Sequence, residues 1–181
     1  MNSKQKVVYI AMCADILHPG HLNIIQEGSK RGLVIVGLLT DEAVASYKRR
    51  PVMDFSQRRA VVESIKGVGR VTPQTTLDYR PNLRKLKPDY VVHGSDWRTG
   101  VQADTRQQVI DTLAEWGGQL VEPEYTEGVS TTQLIEKIKN MADNTESQGL
   151  VQGHIPAVDL DTGSLHPVDG VAYPDGGIYG S

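Results

Sequence analysis

The chain has 181 residues, of which 39% are hydrophobic and 23% are charged, and its formal net charge is −3. These values are ordinary for a soluble globular protein, and the length is enough for one domain with its own core. The one cysteine, Cys13, excludes an intrachain disulfide and favours a reducing, cytoplasmic compartment. No apolar run approaches the roughly 20 residues that span a bilayer, and the polar N-terminus lacks a signal peptide, so we expect no membrane partner.

Charge is distributed unevenly along the chain. Residues 1–139 hold 19 basic and 16 acidic groups, whereas the charged residues after Lys139 are all acidic. A mildly basic body suits a small polyanionic ligand. It lacks the basic stripe that binding to DNA or RNA requires, so we expect no nucleic acid partner.

Short apolar runs alternate with amphipathic stretches through the first 144 residues. The predicted strands are residues 6–12, Leu33–Leu39, Val68–Thr72, Tyr90–His93 and Gln119–Val121. The predicted helices are residues 21–31, a short helix capped by Asp41 and ending near Tyr47, a helix capped by Ser56 over Gln57–Lys66, Asn82–Leu86, residues 104–116, and a last helix capped by Ser130–Thr132 and ending near Met141.

This alternation predicts an α/β fold: a doubly wound, Rossmann-like parallel sheet of five strands with flanking helices. Leu33–Leu39 supports the prediction, because a near-continuous apolar strand is typical of parallel sheets covered on both faces. In such folds, ligands bind beyond the C-terminal ends of the strands. From about residue 145 the periodicity stops, so we predict a domain over residues 1–144 and a Gly/Pro-rich tail or linker over residues 145–181.

The run His18-Pro19-Gly20-His21 lies between the first predicted strand and the first predicted helix. A helix N-terminus offers free backbone N–H groups and partial positive charge, which bind phosphate. Gly20 lets the backbone approach a ligand, and the two imidazoles add donors that suit the charge developing on a nucleotide α-phosphate. Two simpler interpretations stay open here: a solvated or capping histidine, and a metal-binding pair, although no third ligand lies at helical spacing.

Three further segments lie at or near strand ends, where they would converge on one cleft. Thr126–Thr132 is a Gly-containing turn into a helix with hydroxyl side chains, which suits phosphate binding, although a plain helix cap has the same pattern. Lys48, Arg49 and Arg50 would supply positive charge near a triphosphate, although such clusters are usually solvated. Gly94–Trp97 follows the fourth predicted strand.

Together these segments resemble the nucleotidyltransferase family that carries the H-x-G-H signature, and its cytidylyltransferase branch in particular. Asp15–His21 carries the signature, Gly94–Trp97 resembles a G-D-D-W segment, and Thr126–Thr132 resembles T-E-G-I-S-T-T. Thr40–Glu42 and Phe55–Arg58 are similar to the family's S-T-D-E and Y-E-x-R. The resemblance covers roughly residues 6–140 in the family's order, and it implies an enzyme, a CTP-dependent nucleotidyltransferase.

The resemblance also implies roles for individual residues. His18, His21 and Lys48 would be catalytic: the histidines would hold the CTP phosphates and stabilise the α-phosphate, and Lys48 would bridge the acceptor and the nucleotide. The implied nucleotide-binding residues are Met12, Cys13, Ala14, Asp15, Gly20, Arg58, His93, Gly94, Asp96, Trp97, Thr126, Gly128, Val129, Ser130 and Thr131. Ser95 and Tyr125 would contact the acceptor. Mg²⁺ would be held mainly through the CTP phosphates, so no protein ligand to a metal is expected.

Three departures separate the chain from the glycerol-3-phosphate branch. Tyr125 stands where that branch has Arg, Ser95 where it has Asp, and Met12–Ala14 where it has G-T-F. The full set of motifs is most similar to cytidylyltransferase domains of phosphonate biosynthesis, which are often fused ahead of a phosphoenolpyruvate mutase. The resemblance therefore implies 2-hydroxyethylphosphonate or 2-aminoethylphosphonate as acceptor and a fused or associated phosphoenolpyruvate mutase as partner. It also implies a homodimer, for which Leu77–Pro81 offers apolar surface.

The implied reaction is in-line attack of a phosphonate or phosphate oxygen on the α-phosphorus of CTP, with release of pyrophosphate. The attacking oxyanion is ionised near neutral pH, so positioning and charge stabilisation suffice. Three alternatives stay open: a glycerol-3-phosphate-type cytidylyltransferase, an adenylyltransferase that uses ATP, and a non-catalytic nucleotide-binding module. The sequence leaves both the base and the acceptor's head group undetermined.

Overall fold

The computed structural model describes residues 5–99 and 102–147. Within these ranges strands and helices alternate as the sequence predicts. In chain order they are β1 (Val7–Met12), α1 (Pro19–Ser29), β2 (Leu33–Leu39), α2 (Asp41–Ala45), α3 (Phe55–Glu63), β3 (Val68–Gln74), α4 (Arg80–Leu86), β4 (Tyr90–Val92), a 3₁₀ turn (Ser95–Arg98), α5 (Ala103–Ala114), β5 (Gln119–Val121) and α6 (Thr131–Ser147).

The five strands form one parallel sheet in the order β3-β2-β1-β4-β5. Val8 of the central strand β1 pairs with Val34 of β2 on one side and with Tyr90 of β4 on the other. The chain builds outward from β1 to β3 and then returns to the other side of β1, so the strand order reverses between β1 and β4. The predicted doubly wound, Rossmann-like fold is thereby confirmed, and the expected place for a ligand is beyond the ends of these two strands.

Alternate side chains of β1 enter two separate hydrophobic cores. Val8 and Ile10 pack on one face, in the cluster that contains Ile25 of α1. Tyr9 packs on the other face, in the cluster that contains Val109 of α5. Because successive residues of a strand point to opposite faces, the central strand is buried on both sides and serves as a rigid base for the loop that follows it.

Helix α1 begins earlier than predicted, and α2 and α3 begin with a different cap from the predicted one. Helix α1 begins at Pro19, two residues early, with His18 in the cap position. Thr40, rather than Asp41, caps α2, and its hydroxyl accepts from the Ala43 N–H at 3.3 Å. Asp54, rather than Ser56, caps α3, because its carboxylate accepts both the Gln57 N–H at 2.9 Å and the Ser56 hydroxyl at 2.6 Å. For α2 and α3 the observed cap lies one or two residues before the predicted one, and its side chain already accepts one of the first free amides.

The chain divides into two units, Met1–Glu136 and Lys137–Ser181. The first contains the sheet. The described part of the second, residues 137–147, is helical, so α6 continues past Met141 and into the segment that the sequence predicts as a tail from residue 145. The rest of the predicted tail, residues 148–181, lies outside the described residues. No helix in the described ranges is long and apolar enough to cross a bilayer.

Candidate active site

A cavity of about 400 Å³ lies beyond the C-terminal ends of β1 and β4. We call it the first cavity. Its wall combines residues from segments that are far apart in sequence, as the fold predicts. The residues singled out from the sequence that line it are Met12, His18, Gly20, His21, Lys48, His93, Gly94, Asp96, Tyr125, Thr126 and Thr131.

His18 and His21 form a contacting pair at the start of α1. Their ring centroids lie 4.0 Å apart, and the His18 backbone N–H donates to His21 Nδ1 at 3.3 Å. Because Nδ1 accepts, the proton of the neutral His21 ring is on Nε2. Burial, reinforced by the positive charges of His18 and Lys48, lowers the pKa of His21 to about 4. His21 is therefore a neutral hydrogen-bond donor near pH 7.

The His18 ring lies against Gly20 at the start of α1. Its Nδ1 is buried and has no hydrogen-bond partner among the described residues, and buried polar atoms without a partner are rare. Its pKa is also lowered by burial. A Cβ on Gly20 would lie 2.9 Å from His18 Cε1, so the ring keeps this position only because residue 20 is glycine. His18 and His21 therefore lie beside the free amides and the positive end of the α1 dipole, and this arrangement suits phosphate binding.

Lys48 brings positive charge to the same wall. Its ammonium lies 5.1 Å from the centroid of the Tyr47 ring. Burial alone lowers the pKa of Lys48, but the Cys13 and Tyr47 side chains raise it by more, so the net shift is upward and the side chain stays charged. Tyr47 also lines the cavity, and nothing in the sequence pattern singled it out.

Asp15 and Arg58 lie beneath the first cavity and hold its loops. Asp15 is buried and accepts from Arg49 Nη2 at 2.7 Å and from the Val52 N–H at 2.7 Å. Arg58 is fully buried and donates to the Cys13 carbonyl at 2.6 Å, to Asp41 at 2.6 Å and to the Met53 carbonyl at 3.1 Å. Its guanidinium faces protein groups in three directions, so the structure does not bring Arg58 to the cavity wall as the resemblance implies.

The turn after β1 explains why Met12 lines the first cavity while the next three residues do not. Ala14 has a φ of +50°, a left-handed conformation that is uncommon for a residue with a Cβ, and its side chain is buried. Cys13 packs against the small cluster at Ala43 and Val44. The resemblance implies that Cys13, Ala14 and Asp15 bind the nucleotide. In the structure they do not line the first cavity, and they support the loop that follows β1.

His93 is held by Trp97, which lies outside the cavity lining. The two rings stack at 3.8 Å with an interplanar angle of 11°, and Trp97 Nε1 donates to Glu122 at 2.8 Å. Arg106, with Trp97, lowers the pKa of Glu122 to about 2, so this anchor is a carboxylate. His93 Nδ1 lies 2.9 Å from the Gly94 carbonyl and must donate to it, so in the neutral ring Nε2 is an acceptor. Burial lowers the pKa of His93 and favours that neutral form.

Tyr125 lines the cavity, and Ser95 lies behind it. Ser95 Oγ accepts the Tyr125 backbone N–H at 3.1 Å, and the Tyr125 hydroxyl donates to the Val129 carbonyl at 3.5 Å. Tyr125 remains 43% exposed. Tyr125 is therefore on the cavity wall, and Ser95 helps to position it through its backbone N–H.

The segment Thr126–Thr132 is tied to the other side of the site. Thr126 Oγ1 accepts from Asn23 Nδ2 of α1 at 2.9 Å, and the Thr131 hydroxyl donates to the Ile16 carbonyl at 3.3 Å. Ser130 Oγ accepts the Gln133 N–H at 3.2 Å, as a helix cap does. Gly128, Val129 and Ser130 shape this turn and are not part of the wall, whereas Thr132 and Gln102 line it although the sequence gave no separate reason to select them.

No group of three or more His, Cys, Asp or Glu side chains is arranged to hold a metal ion in residues 5–99 and 102–147. The polar side chains around the first cavity are imidazoles, hydroxyls, one ammonium, the Gln102 amide and the Asp96 carboxylate, and the N-terminal amides of α1 lie beside them. The ammonium and the N–H and O–H donors suit direct binding of phosphate, and the set fits a cation that would arrive on the phosphates of a nucleotide.

Comparison with known proteins agrees with this geometry. The chain is 33% identical to the bifunctional protein HldE of Gluconobacter oxydans over 143 residues, 75% of this chain and 28% of that protein. It is 36% identical to the ethanolamine-phosphate cytidylyltransferase of Mus musculus over 132 residues, 70% of this chain and 31% of that enzyme. The chain thus spans about a third or less of the length of these relatives.

Solved structures share the fold. The lipopolysaccharide core biosynthesis protein of Thermoplasma volcanium superposes with a TM-score of 0.59 at 21% identity, over 68% of this chain and 99% of that one. The sequence model of the cytidylyltransferase-like family matches residues 11–137, a range that contains the histidine pair, Lys48 and the Thr126–Thr132 turn. The chain therefore belongs to the cytidylyltransferase-like family.

Proposed function

We propose that this protein transfers CMP from CTP to a small phosphonate and releases pyrophosphate. The observation that carries the proposal is the neutral histidine pair at the start of α1, set beside Lys48 in a cavity at the switch in strand order. These groups stabilise charge on a phosphate without needing to remove a proton from the acceptor.

In the proposed reaction, an ionised oxygen of the acceptor forms a bond to the α-phosphorus of CTP. The bond from that phosphorus to the bridging oxygen breaks, and pyrophosphate leaves with the electron pair. The Nε2–H of His21 and a ring N–H of His18 would donate to the α-phosphate oxygens as negative charge grows there. Lys48 would hold the acceptor anion against the nucleotide, which reduces the repulsion between two anions.

Mg²⁺ bound through the CTP phosphates would neutralise part of the charge on the leaving pyrophosphate. The α6 end of the site would bind the same phosphates through Thr131 and the amides of its first turn. The Thr131 hydroxyl, held by the Ile16 carbonyl, keeps that turn against the loop that carries His18.

The acceptor assignment rests on Tyr125 and Ser95. In the glycerol-3-phosphate branch an arginine at the first position would grip a phosphate through two hydrogen bonds, whereas Tyr125 offers an aromatic face and a single hydroxyl. Ser95 already accepts the Tyr125 N–H and adds no charge. Compared with the glycerol-3-phosphate branch, the residues expected to contact the acceptor therefore differ more than those expected to bind the CTP phosphates. The mouse relative, named for ethanolamine phosphate, makes phosphoalcohols the second acceptor class to test.

The test is pyrophosphate release by the full chain with CTP or ATP, each with a panel of acceptors. The panel contains 2-hydroxyethylphosphonate, 2-aminoethylphosphonate, ethanolamine phosphate and glycerol 3-phosphate. We expect the highest kcat/KM with CTP and a phosphonate. A preference for ATP would establish the adenylyltransferase alternative, a preference for glycerol 3-phosphate would show that the Tyr125 and Ser95 departures were misread, and nucleotide binding without turnover would indicate a non-catalytic module.

A further inference from the structure

A second cavity of about 290 Å³ adjoins the first, and Tyr47 and Gln102 line both. Its remaining wall consists of Gln74, at the end of β3, with apolar and hydroxyl side chains that include Leu39 and Tyr79. No acidic or basic side chain of the described residues lines it. Tyr47 precedes Lys48 in the chain, so a molecule whose anion contacts Lys48 would extend past Tyr47 into an uncharged space.

Gln74 is 2% exposed, and its Nε2 has no hydrogen-bond partner among the described residues. The orientation of this amide follows from a chain of hydrogen bonds that begins at the Pro73 carbonyl. A carbonyl only accepts, so the Asn82 group that lies 3.0 Å from it is the amide nitrogen. The same nitrogen donates to the Tyr9 hydroxyl at 2.9 Å. Tyr9 in turn donates to Gln74 Oε1, which leaves the two N–H groups of Gln74 as the free end.

The fold preserves this chain of hydrogen bonds. A Cβ on residue 37 would lie 1.8 Å from the Tyr9 hydroxyl, so glycine in the middle of β2 makes the space through which Tyr9 reaches Gln74. Burial raises the pKa of Tyr9, so the hydroxyl keeps the proton that it donates. The Thr40 N–H donates to the Gln74 carbonyl at 3.0 Å and fixes the end of β3.

We infer that the second cavity binds the head group of the acceptor, and that Gln74 selects a head group with a neutral oxygen that accepts a hydrogen bond. A buried amide N–H without a partner is rare, and a ligand oxygen would satisfy it. An ammonium has no lone pair to offer, and no carboxylate lines the cavity to balance its charge. This inference rests on the proposed function and narrows it: the acceptor is of the 2-hydroxyethylphosphonate type and not of the 2-aminoethylphosphonate type.

The test compares kcat/KM, with CTP saturating, for three acceptors that differ only in the head group: 2-hydroxyethylphosphonate, 2-aminoethylphosphonate and propylphosphonate. For the unmodified chain we expect the hydroxyl compound to exceed the other two by about 10-fold or more, the effect of one well-placed hydrogen bond. Gln74→Glu keeps an acceptor for Tyr9 but removes the free N–H groups and adds a carboxylate, so the hydroxyl-to-amine ratio should fall by about 10- to 100-fold. Gln119→Glu, the same change at an exposed residue of β5, should leave the ratio unchanged.

Each outcome decides between the two claims. If no acceptor yields pyrophosphate with CTP, the proposed function fails and the inference fails with it. If phosphonates are used but the unmodified chain prefers the amine, or uses propylphosphonate as well as the hydroxyl compound, the inference fails and the proposed function stands. An unchanged ratio in Gln74→Glu overturns it as well, provided that thermal unfolding and the KM for CTP show a folded variant. If Gln74→Glu does not fold, the acceptor series on the unmodified chain decides.

Discussion

The Arg58 guanidinium donates to Asp41 Oδ1 at 2.6 Å, and the arginine is fully buried whereas the Asp41 side chain is 24% exposed. The same side chain holds the Cys13 and Met53 carbonyls, so a single cation joins the turn after β1 to the segment that precedes α3. Arg58 resembles a nucleotide-binding arginine in sequence, but in the structure it holds the loops that position the site residues.

Arg58→Ala should destabilise the protein strongly. The substitution leaves the Cys13 and Met53 carbonyls and the Asp41 carboxylate without this donor, and removing one partner of a buried ion pair typically costs about 3–5 kcal/mol. Arg59→Ala is the matched control, because Arg59 is half exposed and pairs with Glu63 four residues later, which predicts a change of about 0–1 kcal/mol. Urea unfolding of both variants measures the difference, and equal free energies of unfolding would contradict this role.

His18→Ala and His21→Ala should each lower kcat by roughly 10²–10³, with smaller changes in the KM for CTP. The reason is that both rings would face charge that increases in the transition state. Gln26→Ala, an exposed position on the same helix, serves as control. Steady-state kinetics with saturating CTP tests the prediction, and near-normal turnover in either histidine variant would refute the catalytic assignment.

The stability of the protein should fall as the pH decreases from about 6.5 to 4. The pKa of His21 is about 4 in the folded chain and about 6.5 when unfolded, so between these values the unfolded state binds the additional proton. The contribution is complete above about pH 6.5 and its loss amounts to about 3 kcal/mol below pH 4. His21→Asn should show a shallower decrease in urea unfolding at stepped pH, and a parallel decrease in both proteins would count against a neutral buried His21.

Gly20→Ala should lower activity with little effect on stability, whereas Gly117→Ala should lower stability with little effect on activity. At residue 20 the new methyl group would displace the His18 ring, so we expect a loss of turnover of about 10-fold or more with a nearly unchanged melting temperature. At residue 117 no atom of the described residues, apart from the chain neighbours, lies within 4 Å of the new Cβ, but the backbone φ is +79°, so stability should fall by about 1–2 kcal/mol while activity persists. Calorimetry and kinetics on the two variants separate these effects, and a fully active Gly20→Ala would contradict the proposed contact.

The protein should sediment as a homodimer at micromolar concentration, as the resemblance to its family implies. Within Leu77–Pro81, Leu77 is 39% exposed, but Tyr79 packs inward with its ring 6.3 Å from Tyr9 and 5.8 Å from Trp97. Tyr79 therefore packs partly into the core, and the stretch offers less apolar surface than its composition suggests. A monomer in sedimentation velocity would refute the prediction.

The sequence predicts the sheet well because its signals are local. The apolar runs Val7–Met12 and Leu33–Leu39 report burial directly, and both strands occur where they are expected. Strand β3 extends two residues beyond its predicted end, because Pro73 interrupts the strand pattern although an edge strand tolerates proline. Because the predicted strand ended at Thr72, Gln74 lay outside every predicted strand and helix.

The site is less predictable, because a residue's role there depends on partners far away in sequence. The H-x-G-H loop can be predicted from sequence, because its two histidines and the N-terminus of the helix that follows are adjacent in the chain. The burial of Arg58 and Asp15 cannot be predicted in this way. Their hydrogen-bond partners lie 17 to 45 residues away, and nothing in the local sequence indicates that those loops will enclose a charged side chain. Gln74 carries no local signal at all, and its free amide becomes visible only through Tyr9 and Asn82.

Glycine 37 has a consequence for attempts to alter the protein by substitution. The Tyr9 hydroxyl occupies the space that any larger residue at that position would need, and Tyr9 lies in the same buried cluster as Val91 and Val109. The group that orients Gln74 is therefore part of the interior of the sheet and not of a surface loop. A change at residue 37 or 9 alone would disturb the core packing, and a change at residue 82 would remove a donor to Tyr9, so redesigning this end of the molecule requires several coordinated substitutions introduced together.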